Sequence, residues 1–305
     1  MKNFKGKAIY CPSGKAGEYA YWACNFYVGC SNGCTYCYCK KGILAGVMGQ
    51  DKPQLKKCFK DEKHALDVFK KELMQNLSEL QRHGLFFSFT TDPLLPETTL
   101  LTQLAAKFCL INDVPVKFLT KRVDWHVDEL IKELTKNGTI WNYEPKKHLL
   151  AFGFTLTGHD ELESNASTNT ERIEAMKKLH DAGFKTFASI EPIIDFKSSL
   201  EMIVKTAQYC DLYKIGLQSG IRYNKDNLNE FIKDVLCVFN DYYKNYCKYT
   251  CRSFKGFDNP FCRGCNFLGE KHKIYFKDSL LKQAGIKRED LPENCVGRDY
   301  NMFEL

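Results

Sequence analysis

No run in this 305-residue chain approaches the roughly 18 consecutive apolar residues that a membrane-spanning helix needs, so no transmembrane anchor is expected. The basic N-terminus, Met1-Lys2-Asn3-Phe4-Lys5-Gly6-Lys7, has no apolar signal core behind it, which argues against secretion. Internal repeats and low-complexity linkers are missing too, so neither a repeat array nor a string of tethered modules is expected. At this length the chain can bury one large core, or one core with an appendage. Against these absences stands one excess, fifteen cysteines. An odd number of thiols in a chain without a secretion signal argues for metal ligation in a reducing, cytoplasmic compartment rather than for disulfides.

Three of them carry most of the information. Cys30, Cys34 and Cys37, within Gly29-Cys30-Ser31-Asn32-Gly33-Cys34-Thr35-Tyr36-Cys37-Tyr38, are spaced C-x3-C-x2-C and can converge on one metal centre from a single loop. Three thiolates hold three irons of a cubane [4Fe–4S] cluster and leave the fourth iron open to bind and reduce a substrate. Zinc favours four ligands in two paired half-sites, a spacing this trio does not have.

Six short apolar runs alternate with six helical patterns. The strands are expected near Ala23–Gly29, Leu85–Thr91, Pro115–Thr120, His148–Thr157, Phe184–Ile193 and Asp211–Gly216. Helices are expected over Asp61–His83, Glu97–Ile111, Asp124–Lys136, Ser167–Ala182, Ser198–Tyr209 and Asp226–Tyr246, several opened by Ser, Thr or Asp and closed by Gly. Such alternation predicts parallel βαβ units with right-handed crossovers. The expected fold class is therefore α/β, a partial (β/α)6 TIM-like barrel over residues 1–235, followed by a small Cys-rich region over 236–305. Catalytic groups in such barrels gather at the C-terminal ends of strands. Polar residues stand there, Thr91 and Asp92, Lys121, Thr155 and Glu191, and the sixth strand ends at Gly216.

The cysteine spacing, Tyr36 just before the third cysteine, and the early position of the motif resemble the radical S-adenosylmethionine (SAM) superfamily. More narrowly, "TTDPLLPET", "FLTKRVDWHVDELI" and "TLTGHDELES", followed by a helix with Arg172, resemble the group containing spore photoproduct lyase and its DNA-repair-photolyase-like relatives, over about residues 20–220. The resemblance implies that Cys30, Cys34 and Cys37 ligate the cluster. Lys121 and Thr155 would contact the SAM carboxylate, and Asp92 with Thr91 the amine. Tyr36, Glu191 and Gly216 are further candidates for cofactor binding. It also implies reductive cleavage of SAM, with an electron from a flavodoxin- or ferredoxin-like donor, to give a 5′-deoxyadenosyl radical that takes hydrogen from a substrate. Tyr36 and Tyr38 match the two tyrosines flanking the third cysteine of the lyase. One departure stands out. The lyase carries a hydrogen-returning cysteine just before its T-S-D stretch, where this chain has Phe89. Cys39 is the candidate thiol in its place, so Tyr38 and Cys39 are the candidate catalytic residues.

Cys247-x3-Cys251 and Cys262-x2-Cys265 form two close pairs ten residues apart, a layout that can close into a four-thiolate site. A second [4Fe–4S] cluster is the preferred occupant and zinc the alternative. Net charge is +7, and the window from Asp241 to Arg288 holds 11 Lys/Arg against 4 Asp/Glu together with ten Tyr or Phe. Basic residues interleaved with aromatics suit an anionic polymer with bases that stack. A nucleic acid, repaired or modified at a base, therefore leads as substrate over a peptide or small metabolite. The competing class is a non-enzymatic iron–sulfur or zinc module that grips nucleic acid, and such a binder has no use for polar strand ends.

Overall fold

The computed structural model describes residues 4–42, 45–129, 146–239 and 272–304. The chain divides into two compact units, one of Met1–Thr155, His159–Phe187 and Arg298–Leu305, the other of Leu156–Gly158 and Ala188–Gly297. In the first unit β1 (Ile9–Tyr10) pairs antiparallel with β2 (Ala23–Cys24), while β3 (Tyr27–Val28) and β4 (Gln54–Leu55) form a separate antiparallel pair. Beyond β2 the sheet is parallel through β5 (Leu85–Phe87), β6 (Val116–Thr120) and β7 (Leu150–Thr155). Helices α1 (Ala45–Met48), α2 (Glu62–Gln75), α3 (Leu77–His83), α4 (Thr99–Ile111) and α5 (Asn169–Asp181) belong to the same unit.

Strand β8 (Lys185–Ile193) enters the second unit at Ala188. There α6 (Phe196–Thr206), β9 (Leu212–Leu217), α7 (Lys225–Phe239), β10 (Lys273–Phe276) and α8 (Asp278–Ala284) follow, with strand order β8–β9–β10 and β9 parallel to β10. The result is the expected α/β class, a mostly parallel sheet with helices between its strands. All six residues of β7 and of β9 are buried, as strands covered on both faces require.

Aromatic rings tie the first unit together. Phe87, Phe118 and Phe152 are register partners on β5, β6 and β7, with ring centroids 5.8 and 5.4 Å apart. Phe69 of α2 lies 6.2 Å from Phe87, and Trp125 stacks on Phe152 at 5.5 Å. Each such pair contributes about 0.5–1.5 kcal/mol beyond its buried area. The helices start where polar caps dictate. Asp61 accepts from His64 N at the head of α2, Asp195 from Ser198 N at α6, and Thr168 with Glu171 forms a reciprocal capping box at α5.

Several expectations need correction. The helix expected over Asp61–His83 breaks at Asn76, whose buried side chain donates to Glu72 O at 2.9 Å and competes with the helical ladder. The strand expected over Ala23–Gly29 is two pieces. Asn25 interrupts it, its side chain donating to the Tyr10 hydroxyl (2.7 Å) and accepting from Phe89 N (2.9 Å), and β3 then leaves the main sheet for β4. The parallel strand β10 is not among the six expected, because its short Lys-Ile-Tyr-Phe run lies in the basic, aromatic window and reads as part of that composition. The distal parts of the expected helices Asp124–Lys136 and Asp226–Tyr246 lie outside the described residues, as do Cys247, Cys251, Cys262 and Cys265.

Replacing Phe118 with alanine removes the middle ring of the cross-strand stack and is expected to cost about 3–5 kcal/mol. Leu100→Ala on the exposed side of α4, where the side chain is 62% exposed, should cost less than about 0.5 kcal/mol. Urea unfolding of both variants checks the contrast.

Candidate metal centre and cofactor site

The loop after β3 carries the three cysteines, all of them free thiols. It is clamped from one side by the segment between β7 and α5. Thr35 N donates to Leu162 O (3.0 Å), Asn165 N to Asn32 O (3.1 Å) and the Asn165 side chain to Ser31 O (3.1 Å). Gly33 has φ +71°, a backbone conformation that favours glycine, and a Cβ there would also press on the Ser164 hydroxyl.

Glu163 is the centre of this clamp. Its side chain is fully buried and is held by the Arg172 guanidinium and by the Tyr36 hydroxyl, with Lys121 Nζ 3.9 Å away. Arg172 also reaches Thr155 O (2.5 Å) and Ser167 O (2.8 Å), which ties the end of β7 to the start of α5. Lys121 Nζ lies 5.3 Å above the Tyr36 ring. Burial works against its charge, but Tyr36, Cys34 and Glu163 outweigh burial and hold its pKa above the usual lysine value. The surroundings of Lys121 thus favour its charged form.

Asp92 organises the opposite wall. Its carboxylate accepts from Asn32 Nδ2 (2.8 Å), Lys121 N (2.7 Å), Thr120 Oγ1 (2.7 Å) and Leu94 N (3.0 Å). These four donors commit Asp92 to the protein, joining the cysteine loop to the ends of β5 and β6. Two buried polar atoms in this wall have no hydrogen-bond partner among the described residues, the Thr91 hydroxyl oxygen and the Asn32 side-chain carbonyl. Unsatisfied buried acceptors are costly and rare. With the Lys121 ammonium nearby they match a zwitterion that presents one ammonium and one carboxylate.

The cysteines differ in character. Burial, reinforced by Asp92, pushes the Cys30 thiol up to about 12, whereas a hydrogen bond from the Cys39 thiol draws Cys37 down to about 6. Among the described residues no three Cys, His, Asp or Glu side chains close on a single-ion point. Three cysteines on one loop are the donor type that holds three irons of a [4Fe–4S] cluster and leaves the fourth open, so the residues present fit that group. Beside Cys37, the Tyr38 hydroxyl donates to Phe89 O, and the buried Cys39 Sγ lies 3.8 Å from the same oxygen.

The first unit therefore brings together Cys30, Cys34, Cys37, Tyr36, Tyr38, Cys39, Thr91, Asp92, Lys121 and Thr155. Glu191 and Gly216 lie in the second unit. There Glu191 pairs with the buried Lys277 at 2.9 and 3.1 Å, and a Cβ on Gly216 would fall 2.6 Å from Lys277 Cδ. Asn32 and Glu163 stand beside the cysteines, and the sequence reading did not single them out. Asn32 stands between two cysteines and was detectable from that place alone. Glu163, one of three acids in Asp160-Glu161-Leu162-Glu163, carries no local mark of its burial.

The family model described as Radical SAM superfamily matches residues 24–210, more than half of the sequence, and the chain belongs to that superfamily. Its fold is the partial TIM-like barrel of the superfamily, and membership implies a [4Fe–4S] cluster, SAM and an electron donor. A tyrosine-to-phenylalanine mutant of spore photoproduct lyase is similar in structure, with a TM-score of 0.51 and 17% identity, over 77% of this chain and 64% of that one. A cysteine-to-alanine mutant of that lyase gives 0.50 and 18%, over 73% and 62%. SuiB from Streptococcus suis gives 0.45 and 12%, over 88% and 51%. This chain spans less than two thirds of the length of each, and at these identities the likeness is one of fold. No curated protein matches it.

Removing Arg172 should leave the Glu163 carboxylate without its main partner. Arg172→Met is expected to cost about 3–5 kcal/mol. The double variant Arg172→Met/Glu163→Gln should recover part of that loss, as chemical denaturation of both proteins would reveal.

Proposed function

We propose that this chain is a radical SAM enzyme that cleaves SAM reductively and abstracts hydrogen from a nucleic acid, repairing or modifying a base. The observation that carries the enzymatic reading is the wall of Thr91, Asn32 and Lys121 beside the three cysteines, two unsatisfied acceptors and a fixed cation. When bound, the cluster supplies one electron and SAM supplies the hydrogen-abstracting radical. The chain's own part is to hold the partners. Cys30, Cys34 and Cys37 ligate the cluster. Lys121, with Thr155, receives the carboxylate of SAM, while the Thr91 hydroxyl and Asn32 carbonyl accept from its ammonium. Asp92, saturated by its four donors, positions Asn32 and Lys121. Glu191 and Gly216 are proposed as further cofactor-binding residues.

Tyr38 and Cys39 are the groups proposed to exchange hydrogen with substrate. Their support is geometric, since both meet the carbonyl of Phe89, the position at which the resembling lyase carries its thiol. The basic aromatic window favours a nucleic acid over a peptide or small metabolite. Cys247, Cys251, Cys262 and Cys265 are proposed to hold a second [4Fe–4S] cluster, with zinc as the alternative. The electron donor is proposed to be of flavodoxin or ferredoxin type, in a cytoplasmic setting. No described helix is long and apolar enough to cross a membrane.

Anaerobic protein mixed with reductant and SAM should release 5′-deoxyadenosine, and a protein that only grips nucleic acid would release none. Replacing Cys30, Cys34 and Cys37 together with alanine should abolish this product and remove about half of the iron, the remainder belonging to the C-terminal cysteines. Unchanged iron would remove the assignment. Lys121→Ala should weaken SAM binding about tenfold or more, the loss of a charge-assisted bond, at unchanged iron content in equilibrium dialysis.

A further inference from the structure

Beyond the ends of the paired strands β2 and β5, one side chain takes over from the backbone ladder. Cys24 and Phe87 are register partners, and after them come Asn25 on one side and the stretch Ser88–Thr91 on the other. Asn25 is buried, and its own N donates to Ala8 O (3.1 Å), which sets its backbone against the residue preceding β1. Both ends of its amide are used. Oδ1 accepts from Phe89 N (2.9 Å), and Nδ2 donates to the Tyr10 hydroxyl (2.7 Å). The opposite orientation would set N–H against N–H at Phe89, so this bond also fixes which way the amide points.

Phe89 is thereby held at its nitrogen, and its carbonyl oxygen is the point where the Tyr38 hydroxyl and the Cys39 thiol meet. Its ring is fixed as well, stacked on Phe86 at 4.6 Å and edge-on to Tyr19 at 6.1 Å. On either side Ser88 Oγ donates to Thr91 O and Thr90 Oγ1 to Tyr27 O, both at 2.6 Å, but neither bond reaches Phe89 N. A strand end needs only some acceptor for its last N–H, and water serves that purpose at a half-buried position. Asn25 instead supplies a buried acceptor whose direction is set from two further points, Ala8 O and the Tyr10 hydroxyl. A hydrogen-transfer site has use for such a support. Its reacting atoms must be held about 3–3.5 Å apart, and a misplacement of about 1 Å can cost about a hundredfold in rate.

We propose that Asn25 is a positioning residue for hydrogen transfer, which acts through Phe89 to hold the Tyr38 hydroxyl and the Cys39 thiol on one carbonyl beside Cys37. This rests on the reading of Tyr38 and Cys39 as the hydrogen-exchanging pair, and it adds the residue that sets their geometry. Tyr10 is the outer support of the same amide. Its loss matters less than that of Asn25, because the bond from Phe89 N remains.

The test uses the full-length anaerobic holoenzyme with SAM and dithionite in D2O, where thiol and phenol protons are replaced by deuterium. With no substrate added, the 5′-deoxyadenosyl radical takes a deuterium atom from Cys39 or Tyr38. A C–D bond forms as an S–D or O–D bond breaks, and the side-chain radical left behind takes one electron from dithionite and one deuteron from solvent. Mass spectrometry reads the deuterated fraction of the released 5′-deoxyadenosine, a ratio that does not depend on the cleavage rate. Asn25→Leu, similar in volume but without the amide, should lower that fraction about fivefold to tenfold, the effect of one lost hydrogen bond. Asn25→Asp still accepts from Phe89 N and can accept from the Tyr10 hydroxyl, so it should restore most of the fraction. Tyr10→Phe should stay within about twofold of the wild type. Iodoacetamide labelling of Cys39 in the same holoenzyme should speed up about fivefold to tenfold in Asn25→Leu, with the buried Cys109 and Cys210 labelled no faster. A wild-type deuterated fraction in Asn25→Leu overturns the proposal and leaves the hydrogen-exchanging pair standing. An equal loss in Tyr10→Phe also overturns it, because Phe89 would then not be the route. Faster labelling of Cys109 and Cys210 alongside Cys39 marks a general loss of fold and assigns Asn25 to structure alone. Equal fractions in the wild type and in Tyr38→Phe/Cys39→Ala overturn the reading of that pair, and with it the role of Asn25 in transfer.

Discussion

The buried carboxylate of Glu163 is the contact on which the arrangement of the cysteine loop depends. An unpaired carboxylate in such a place would cost several kcal/mol or would take up a proton. Here Arg172, Tyr36 and Lys121 surround it, and each partner comes from a different part of the first unit. Tyr36 belongs to the cysteine loop, Lys121 to the end of β6, and Arg172 to α5, from which it also holds the end of β7. The geometry of the three cysteines is thus referred to two strand ends and a helix through one charged group. Apolar residues of similar size could fill that volume, but they would not fix the direction of the Lys121 ammonium or of the Tyr36 ring.

Much of this was legible in the sequence because the chemistry and the fold leave different marks. The C-x3-C-x2-C spacing is local, and the alternation of apolar runs with helical patterns is periodic, so the loop and the α/β class could both be read directly. Thr91, Asp92, Lys121 and Thr155 could be picked out as a group because parallel βα units place polar residues at one end of the sheet. What was hidden depends on contacts distant in the chain. Asn25 divides an apolar run because Tyr10 accepts from its amide nitrogen and Phe89 N donates to its amide oxygen, both from distant parts of the chain. Asn76 breaks a helix that its apolar periodicity would have continued, through one bond back to Glu72 O. Glu163 looks like any acid in a polar loop until Arg172 is folded against it.

Asp92 shows how residue type and hydrogen-bond capacity can point to different atoms of one wall. A carboxylate at a strand end beside a cluster loop is the natural partner for an ammonium, and its neighbour Thr91 looks secondary. In the folded chain the carboxylate already receives four donors, while the Thr91 hydroxyl and the Asn32 carbonyl receive none. A carboxylate has about four lone-pair sites, and those of Asp92 are used, so a further donor would have to displace a protein partner. The unsatisfied atoms are the ones with free energy to gain.

The short 3-10 turn Tyr38–Lys40 gathers several of these roles into consecutive residues. Three residues per turn send successive side chains in directions about 120° apart, so neighbours in sequence face different surroundings. Cys37 enters the turn as its cap and interacts with Cys39, which is buried against Phe89 O. Tyr38 reaches that same carbonyl with its hydroxyl but leaves its ring exposed, and Lys40 turns outward to Asp51. A straight strand would have placed Cys37 and Cys39 on one face and Tyr38 on the opposite one, separating the thiol from the ring. The tighter turn lets both groups meet one backbone oxygen from opposite sides of the surface. The buried thiol and the exposed ring are thereby held next to the same cysteine, Cys37.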